Sequence, residues 1–587
     1  MKSKIGRLIH TKYFPVVCAY VLLVIFKLLF ILPLATGPIS FGDEALYKKF
    51  SLQWFTLGKQ LDTHYPPVYP LLLTVSFLFK NHWYTAMLVL NMLYSSLVPV
   101  FLYLIAGLYL DRRKSIYCMI VGCALPFHFI MPTMILSENV FLPILLLEIY
   151  LVLRENKKHP IAADVLIGCF LAVLCLSRYI SIVTIPVFAL VWLMKELHLG
   201  RRFAGLIPRG CLVLAAMVLT YLPWILMNRG VPFKEIIGFG ITSNTHAEQL
   251  TIPRLFFTAL LYICYFVLLA LPVLPTLFHS FADLDYRKWT SRYNQVWVMI
   301  VGLTGAFFVA VTRHSWRASY NWPDFARIMG RYLICFPVLY ILLTFITWEK
   351  QKEAYGEEKQ NPNGKNLVVS IVLALLSGAT IVLSYVADIS GILYPGTSEQ
   401  FLNFKGAMEG YKFVVLGIPY LIFGLVIMLI IQFVRHTKWQ KYSVLVLFIG
   451  VLVFELAGMD SYVDRMNRFR ESKDSAAITD MNALLAAEFP DTMLTLERVE
   501  KPVPLYFDVS KDAVGYSWEL RCMKFFCTYY YVDIKEDFSE IEAGSTYYVV
   551  TETPEKYEAS DIVKTLGSFD REGVKNTLML VVKSSDS

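Results

Sequence analysis

Charged residues are scarce in this sequence. Asp, Glu, Lys and Arg together make up 17% of the 587 residues, whereas hydrophobic residues make up 56%. Soluble globular chains carry about 25% charged residues and about 45–50% apolar residues. The shortage of charge therefore excludes an ordinary soluble protein and predicts a chain that crosses a membrane many times.

The motifs of nucleotide-driven machines are also missing. The sequence contains no phosphate-binding P-loop, no glycine-rich dinucleotide fingerprint and no Cys/His spacing typical of a metal site. It also shows no internal repeat and no low-complexity tract. The missing motifs argue against a nucleotide-driven pump, and the missing repeat argues against a carrier.

Cysteine offers few candidates for cross-linking. Most of the ten cysteines fall within apolar stretches, where a small apolar side chain is the simpler interpretation. Only Cys522 and Cys527 lie in the predicted outer domain, and their spacing leaves a disulfide between them open.

Hydrophobic stretches of membrane-spanning length recur along the first 458 residues. A spanning helix needs roughly 17–25 residues, and this criterion predicts about 13 spans. The predicted spans lie near 14–36, 83–110, 115–132, 137–153, 161–176, 179–195, 207–228, 255–278, 295–312, 331–348, 366–387, 412–434 and 442–458. The predicted fold is therefore an all-α polytopic membrane bundle.

Basic residues set the predicted orientation. If the N-terminus is cytoplasmic, every inner segment is rich in Lys and Arg, as in 111–114 (DRRK) and 154–160 (RENKKHP). The positive-inside rule favours this arrangement, and the run 66–79 is then an interfacial or re-entrant helix. The first apolar run lacks a small-residue cleavage site, so it is predicted to be a signal anchor. The net charge of +8 belongs to membrane anchoring, and no nucleic-acid partner is expected.

A change in composition divides the chain into two predicted parts. Residues 1–458 form a transmembrane domain, with an outer loop 37–82 that carries an acidic motif and interfacial helices. Residues 459–587 are mixed polar sequence and predict a small α/β domain on the extracytoplasmic side. Helical spacing there covers 473–488, and strand-like runs cover 492–496, 505–509, 525–532, 547–551 and 578–582.

Two acids, Asp43 and Glu44, directly follow the first apolar run. Carboxylates at the membrane surface are candidates for a general base on an acceptor hydroxyl, or for metal coordination. A structural alternative stays open, because acids also stabilise the first turn of a helix. Apolar residues at steps of three and four over 46–61 predict an amphipathic helix that lies flat at the interface. The prolines that follow His64 and Tyr65 turn the chain back towards the acids.

Two further charged residues are predicted on the outer side. Glu138 opens the fourth span and is a candidate to orient a substrate hydroxyl or an arginine, although an acid behind a serine cap is also a common helix start. Arg178, at a junction between spans, is a candidate phosphate ligand or an interfacial anchor. The sequence requires no cofactor, and a divalent metal bound by Asp43 and His64 is left open.

The outer segment 313–332 is rich in arginine. Its cations and aromatic residues are interleaved: Arg313, His314, Arg317, Arg327 and Arg331 with Trp316, Tyr320, Trp322 and Tyr332. Such a cluster suits a phosphate or diphosphate group, with the rings stacking on a sugar. The alternative is non-specific attraction to anionic lipid. Together with the acids, the cluster predicts a transfer reaction in which an acid serves the acceptor and cations hold a leaving phosphate.

The order of these motifs resembles a known family. The membrane part is similar to the polytopic glycosyltransferases of the C fold class (GT-C) that take sugars from polyprenyl-phosphate carriers. The nearest subgroup contains the protein O-mannosyltransferases and the lipid A aminoarabinose transferases. The resemblance rests on 42–45 (GDEA), 64–70 (HYPPVYP), 137–138 (SE), 177–179 (SRY) and 330–333 (GRYL).

This resemblance implies an inverting sugar transfer in an outward-facing cavity of the cell membrane, as part of cell-envelope glycan or glycoconjugate modification. Asp43 and Glu44 would match the first-loop acids, and Glu138 would orient the acceptor, the donor sugar or the first-loop acid. The resemblance further implies donor-phosphate binding by Arg178, Arg327, Arg331 and Tyr332, and substrate binding by His64, Tyr65 and Tyr69. The implied partners are a polyprenyl-phosphate sugar, membrane lipid, and a glycan, lipid or protein acceptor.

One departure from the family pattern concerns the sugar. The lysine that aminoarabinose transferases carry before the corresponding proline is replaced here by His64 and Tyr65, which argues against aminoarabinose as the substrate. Three other classes stay open at this point: a flippase or transporter of lipid-linked sugars, an oligosaccharide polymerase, and a non-catalytic scaffold.

Overall fold

A computed structural model describes the greater part of the chain. The described residues are 14–35, 41–125, 127–239, 250–317, 330–333, 335–355, 364–386, 418–456, 476–488, 503–508, 532–535, 541–558, 561–571 and 573–583. Arg327, Tyr320, Trp322, Cys522, Cys527, the strand-like run 492–496 and most of the run 525–532 lie outside them.

Helices make up the membrane part. They are α1 (Phe14–Phe26), α2 (Phe41–Leu57), α3 (Val68–Leu73), α4 (Trp83–Ser95), α5 (Val98–Ala106), α6 (Arg112–Cys123), α7 (Phe127–Ile130), α8 (Glu138–Leu153), α9 (Pro160–Ser177), α10 (Ile185–His198), α11 (Phe203–Met227), α12 (Phe233–Ile236), α13 (Ile252–Leu269), α14 (Leu274–Ala282), α15 (Arg292–Arg317), α16 (Phe336–Tyr355), α17 (Gly364–Val386), α18 (Ile418–Arg435) and α19 (Ser443–Leu456). Short 3₁₀ segments connect several of them, at Thr74–His82, Met131–Thr133, Tyr179–Thr184 and Gly330–Leu333.

Seven helical segments among the described residues are long and apolar enough to cross a membrane. They are Phe14–Leu34, Trp83–Ala106, Pro160–Ser177, Tyr179–His198, Phe203–Met227, Ile252–Leu269 and Arg292–Arg317. The chain is thus a multi-pass membrane protein, but the predicted count of about 13 spans is not confirmed. Part of the difference comes from short helices such as α8, which has 16 residues and Pro143 in its interior.

The region 41–82 packs on the bundle through α2 and α3. The sequence predicted an amphipathic helix over 46–61 that lies flat at the interface, and two of the polar side chains of α2 are buried in the structure. Lys48 and Gln53 are only 6% and 1% exposed. The Lys48 ammonium lies 5.2 Å from the centre of the Trp83 ring, and the Gln53 amide oxygen accepts a hydrogen bond from the Leu61 N–H. Other parts of the protein therefore cover these two polar side chains of α2.

Between α6 and α8 the backbone is irregular. Met131–Thr133 forms one 3₁₀ turn, and Met134 is extended, with φ −118° and ψ 139°. The side-chain amides of Asn91 and Asn139 both donate to the Met134 carbonyl, at 2.8 and 3.1 Å. Irregular backbone at membrane depth is tolerated when protein groups satisfy it. This segment leads directly into Glu138, the first residue of α8.

Connections that are rich in Lys and Arg lie together at the end of the bundle where α8 and α10 end. Lys114 pairs with Glu349, and Arg292 lies 3.7 Å from Glu155. The first pair connects 111–114 to α16, and the second connects 154–160 to 287–292. The Arg292 Nη2 also donates to the Leu108 carbonyl, close to 111–114. Connections that are far apart in sequence and rich in Lys and Arg therefore lie close together.

The C-terminal part contains α20 (Ala476–Glu488) and five strands: β1 (Val503–Asp508), β2 (Val532–Lys535), β3 (Thr546–Thr551), β4 (Ile562–Arg571) and β5 (Val574–Val582). The sheet order is β2-β1-β3-β5-β4, with β1 parallel to β2 and β3, and β5 antiparallel to β3 and β4.

A small α/β unit was the prediction for this region, and the runs 505–509, 547–551 and 578–582 overlap β1, β3 and β5. Strand β4 was missed, because Lys564, Thr565 and Asp570 interrupt its apolar pattern. Helix α20 packs on β4, where the position of a Cβ on Gly567 is only 2.6 Å from Leu484.

Candidate active site

A cavity of about 350 Å³ lies where α2, the start of α8, the end of α9 and the end of α15 meet. This volume falls within the range of small-molecule binding sites. Its wall is formed by Asp43, Tyr47, His64, Tyr65, Pro66, Leu136, Glu138, Arg178, Tyr179, Ile180, Ile182, Val183, Ile237, Gly238, Phe239, Val309, Ala310, Arg313, His314 and Tyr332. Carboxylates, guanidinium groups and aromatic rings from distant parts of the chain thus share one apolar-walled space.

The acid side of the cavity is built on the first turns of α2. Asp43 is half-buried, and the Tyr65 hydroxyl donates to its Oδ1 at 2.6 Å. Tyr65 is held in turn against Tyr47, with ring centres 4.7 Å apart. The turn at the prolines after Tyr65 therefore brings its phenol back to the acid, which fixes the direction of the Asp43 carboxylate.

Tyr47 connects this side of the cavity to the segment before α8. Its hydroxyl donates to the Ser137 Oγ at 2.9 Å. Burial raises the pKa of Tyr47, and the charge of nearby Glu138 raises it further. The phenol therefore stays protonated at physiological pH and keeps its donor role.

A buried ion pair forms the centre of the cavity. The Arg178 Nη1 lies 2.7 Å from the Glu138 Oε1, and the two side chains are 8% and 2% exposed. The Arg178 guanidinium also lies over the Tyr332 ring, 4.3 Å from its centre, and 5.6 Å from the centre of Phe141. Glu138 sits at the start of α8 and Arg178 at the end of α9, so the antiparallel pairing of these helices brings them together.

The last turns of α15 supply a second set of cationic groups. Arg313 and His314 are half-buried on the cavity wall. The Arg313 guanidinium lies 5.7 Å from the centre of the Phe239 ring, and the His314 ring meets Tyr332 edge-on at 5.8 Å. The sequence assigned these residues to an outer loop, but α15 extends through Arg317 and holds them on a helix.

The segment after α12 closes the cavity over Tyr179. Gly238 has φ +81°, and a Cβ at this position would lie 2.3 Å from the Tyr179 Cβ. Tyr179 is fixed from behind by the Trp224 Nε1, which donates to its hydroxyl at 3.2 Å. Gly238 and Phe239 were not predicted as site residues, because a glycine followed by an apolar ring is not a sequence pattern typical of a binding site.

The structure separates the predicted site residues into two groups. Asp43, His64, Tyr65, Glu138, Arg178 and Tyr332 line the cavity. Glu44 and Tyr69 do not: both are 0% exposed, and the Tyr69 hydroxyl donates to the Asn91 Oδ1 at 2.8 Å behind the Tyr47 ring. Arg331 lies in the 3₁₀ turn Gly330–Leu333, beside Tyr332.

A metal centre was an open alternative at Asp43 and His64. Both residues line the cavity, yet within the part of the chain that the structure describes, no three His, Cys, Asp or Glu residues form a potential metal-binding cluster.

Comparisons with known proteins give one family match and two similar solved structures. Residues 64–224 match the family model of the dolichyl-phosphate-mannose-protein mannosyltransferases. The chain is similar to the crystal structure of apo ArnT from Cupriavidus metallidurans, with TM-score 0.54, 13% identity, and coverage of 96% of this chain and 98% of that chain. It is also similar to ArnT from Cupriavidus metallidurans bound to undecaprenyl phosphate, with TM-score 0.53, 14% identity and coverage of 95% and 97%. A search of curated proteins gives no match.

These comparisons identify the fold. The chain has the fold of the GT-C glycosyltransferases, a polytopic helical bundle followed by a small sheet-containing region. The mannosyltransferase family model covers α3 to most of α11, which includes Tyr65, Glu138 and Arg178 of the cavity wall. The resemblance predicted from the sequence is confirmed at this level.

Proposed function

We propose that this protein is an integral-membrane glycosyltransferase that moves a sugar from a polyprenyl-phosphate donor to an acceptor on the extracytoplasmic side. The observation that carries the proposal is the shared cavity of Asp43 and Arg178, which places a carboxylate and a guanidinium around one apolar-walled space. The family match over 64–224 and the fold shared with an undecaprenyl-phosphate-bound ArnT support the lipid-phosphate donor.

Asp43 is assigned as the general base. In the proposed reaction the acceptor hydroxyl loses its proton to the Asp43 carboxylate while its oxygen attacks the anomeric carbon of the donor sugar. The bond from that carbon to the phosphate oxygen breaks on the opposite face, so the configuration inverts and polyprenyl phosphate leaves. Tyr65 supports this role, since its hydrogen bond to Oδ1 orients the carboxylate.

The cationic groups are assigned to the leaving phosphate. Arg178 is held by Glu138 and by the face of Tyr332, so its guanidinium is oriented before the donor binds. Such preorganisation favours the transition state, in which charge develops on the phosphate oxygen. Arg313 and His314 on α15 supply further positive or donor groups on another part of the same wall. His64 and Tyr65 flank the acceptor side.

The orientation and the domain roles belong to the same proposal. The N-terminus is cytoplasmic, the cavity faces outward, and residues 1–458 form the catalytic membrane domain. Convergence of the basic links at the end of the bundle opposite Glu138 supports this orientation through the positive-inside rule. Residues 459–587 form the outer α/β domain.

The test is a transfer assay with purified protein in liposomes. A panel of radiolabelled polyprenyl-phosphate sugars is supplied together with cell-envelope glycans, lipids and proteins as acceptors. Release of polyprenyl phosphate, coupled to label on an acceptor, is the expected result.

Three other outcomes would overturn the proposal. Movement of the intact carrier between leaflets without cleavage would identify a flippase, and transfer of whole oligosaccharide blocks would identify a polymerase. A scaffold would show neither reaction with any donor of the panel. Stereochemical analysis of the product tests the expected inversion.

A further inference from the structure

The two neighbouring acids of α2, Asp43 and Glu44, lie in different surroundings. Asp43 lines the cavity, whereas Glu44 is 0% exposed and lies outside the cavity wall. Successive helical residues are about 100° apart around the axis, since one turn holds 3.6 residues. The Glu44 Oε2 accepts a hydrogen bond from the Ile135 backbone N–H at 2.8 Å. Glu44 therefore contacts the backbone of the irregular segment between α7 and α8.

This segment determines the position of Glu138. Ile135 precedes Glu138 by three residues and lies outside the helices on either side, after the Met134 N–H has closed the 3₁₀ turn on the Met131 carbonyl. Ile135 is 0% exposed, and a buried backbone N–H needs an acceptor because leaving it without one costs about as much free energy as a lost hydrogen bond. A carboxylate is a strong acceptor for it. The Glu44 contact thus supplies a hydrogen bond that the local backbone lacks.

A second contact comes from the same face of α2. Tyr47 follows Glu44 by three residues and donates to the Ser137 Oγ at 2.9 Å. Residues three apart on a helix are neighbours on its surface. Glu44 and Tyr47 together hold the segment at Ile135 and Ser137, immediately before the residue that pairs with Arg178. The opposite side is held by Asn91 and Asn139, which donate to the Met134 carbonyl.

We propose that Glu44 is a positioning residue, which fixes the Glu138–Arg178 pair relative to Asp43 by holding the backbone at Ile135. This inference rests on the proposed glycosyl transfer and assigns Glu44 a role different from acid–base chemistry. Because Asp43 and Glu44 are adjacent on one rigid helix, the base and the ion pair keep a fixed separation. A displacement of about 1 Å can lower an enzyme rate about 100-fold.

The decisive comparison is between Glu44→Gln and Glu44→Ala. The glutamine side chain keeps a carbonyl oxygen that accepts from the Ile135 N–H, so Glu44→Gln is expected to retain most of the wild-type kcat. Glu44→Ala loses the acceptor and is expected to lower kcat about 100-fold in the folded fraction. Asp43→Asn, which removes the proposed base, is expected to transfer about 10²–10⁴-fold more slowly in the same assay.

Amide hydrogen exchange gives a readout that does not depend on turnover. Faster exchange of the Ile135 amide is expected in Glu44→Ala and not in Glu44→Gln, because only the alanine variant frees this N–H. Peptides from α20 serve as the internal reference. An inactive Glu44→Gln with protected Ile135 would overturn the proposal and make Glu44 a catalytic acid.

Tyr47 and Ser137 provide an independent check within the same segment. Tyr47→Phe and Ser137→Ala each remove one side of their hydrogen bond, and the double variant is expected to lose no more kcat than either single variant.

If Glu44→Ala lowers only the yield of folded protein, with normal specific activity, the role is structural and the proposal is wrong. A silent wild type would instead contradict the proposed function, and hydrogen exchange would still test the Glu44 contact.

Discussion

Arg178 and Glu138 form an ion pair of 2.7 Å inside the protein, with only 8% and 2% of their side chains exposed. Charges that leave water to this extent lose much of their hydration, and a partner at close range offsets that loss. The pair connects the start of α8 to the end of α9 at the centre of the cavity.

This burial predicts an asymmetry between single and double substitutions. Glu138→Leu leaves a buried guanidinium without its carboxylate and is expected to destabilise the fold by about 3–5 kcal/mol. The double variant Glu138→Leu/Arg178→Met removes both charges and is expected to be more stable than the single variant. Thermal unfolding in detergent measures both. A double variant that unfolds below Glu138→Leu would contradict this account of the pair.

The close approach of Gly238 to Tyr179 gives a second prediction. Gly238→Ala combines a positive φ with a Cβ 2.3 Å from Tyr179, so it is expected to displace Phe239 and reduce transfer. Gly58→Ala is the matched control, because Gly58 has φ +63° but no atom within 4 Å of an added Cβ. Equal activity of the two variants would show that the contact with Tyr179 does not shape the site.

Arg313 is expected to contribute to donor binding. Arg313→Gln should raise the KM for the polyprenyl-phosphate sugar about tenfold or more, since hydrogen bonds to charged groups contribute about 1.5–3 kcal/mol. Arg292→Gln, at the other end of the same helix and half exposed, should leave KM unchanged. If both variants have the wild-type KM, the donor phosphate does not reach the α15 side of the cavity.

The sequence predicts the features of this molecule that local patterns determine, and it does not predict those that depend on packing between distant residues. The multi-pass helical fold follows from apolar runs, and the positions of Asp43, Glu138 and Arg178 follow from motifs at the ends of those runs. The different surroundings of Asp43 and Glu44 could not be predicted, because neighbouring positions on α2 differ only in which distant residues pack against them. Packing by distant residues is also the reason why the burial of Lys48 and the position of Phe239 in the cavity wall could not be predicted.

The link between α5 and α6 gives a prediction about pH. Asp111 caps α6 by accepting from the Lys114 N–H at 2.9 Å. That backbone hydrogen bond, together with the Lys114 ammonium, lowers the pKa of Asp111. The folded state therefore favours the ionised form. The resulting stabilisation is present above the ordinary pKa of an aspartate, about 3.9, and is lost as pH falls through the lower folded value.

Two variants test this cap. Asp111→Ala is expected to reduce stability by about 1 kcal/mol at pH 7, the usual effect of losing an N-cap. Asp111→Asn keeps an acceptor oxygen and should be close to wild type, with less dependence on acid pH. Thermal unfolding between pH 3 and pH 7 measures both effects. An Asp111→Ala protein that unfolds at the wild-type temperature at pH 7 would contradict the capping role.

The central claim is that Asp43 removes the acceptor proton, and one rate comparison tests it most directly. Transfer from the active polyprenyl-phosphate sugar is measured for wild type, Asp43→Asn and the control Asp62→Asn, with folded protein and donor binding quantified for each. Asp62 is an exposed acid of the same outer loop, and an asparagine there still accepts from the His64 N–H. The account predicts that Asp43→Asn binds donor but transfers about 10²–10⁴-fold more slowly, the usual contribution of a general base. Transfer by Asp43→Asn at the rate of Asp62→Asn and wild type would contradict it.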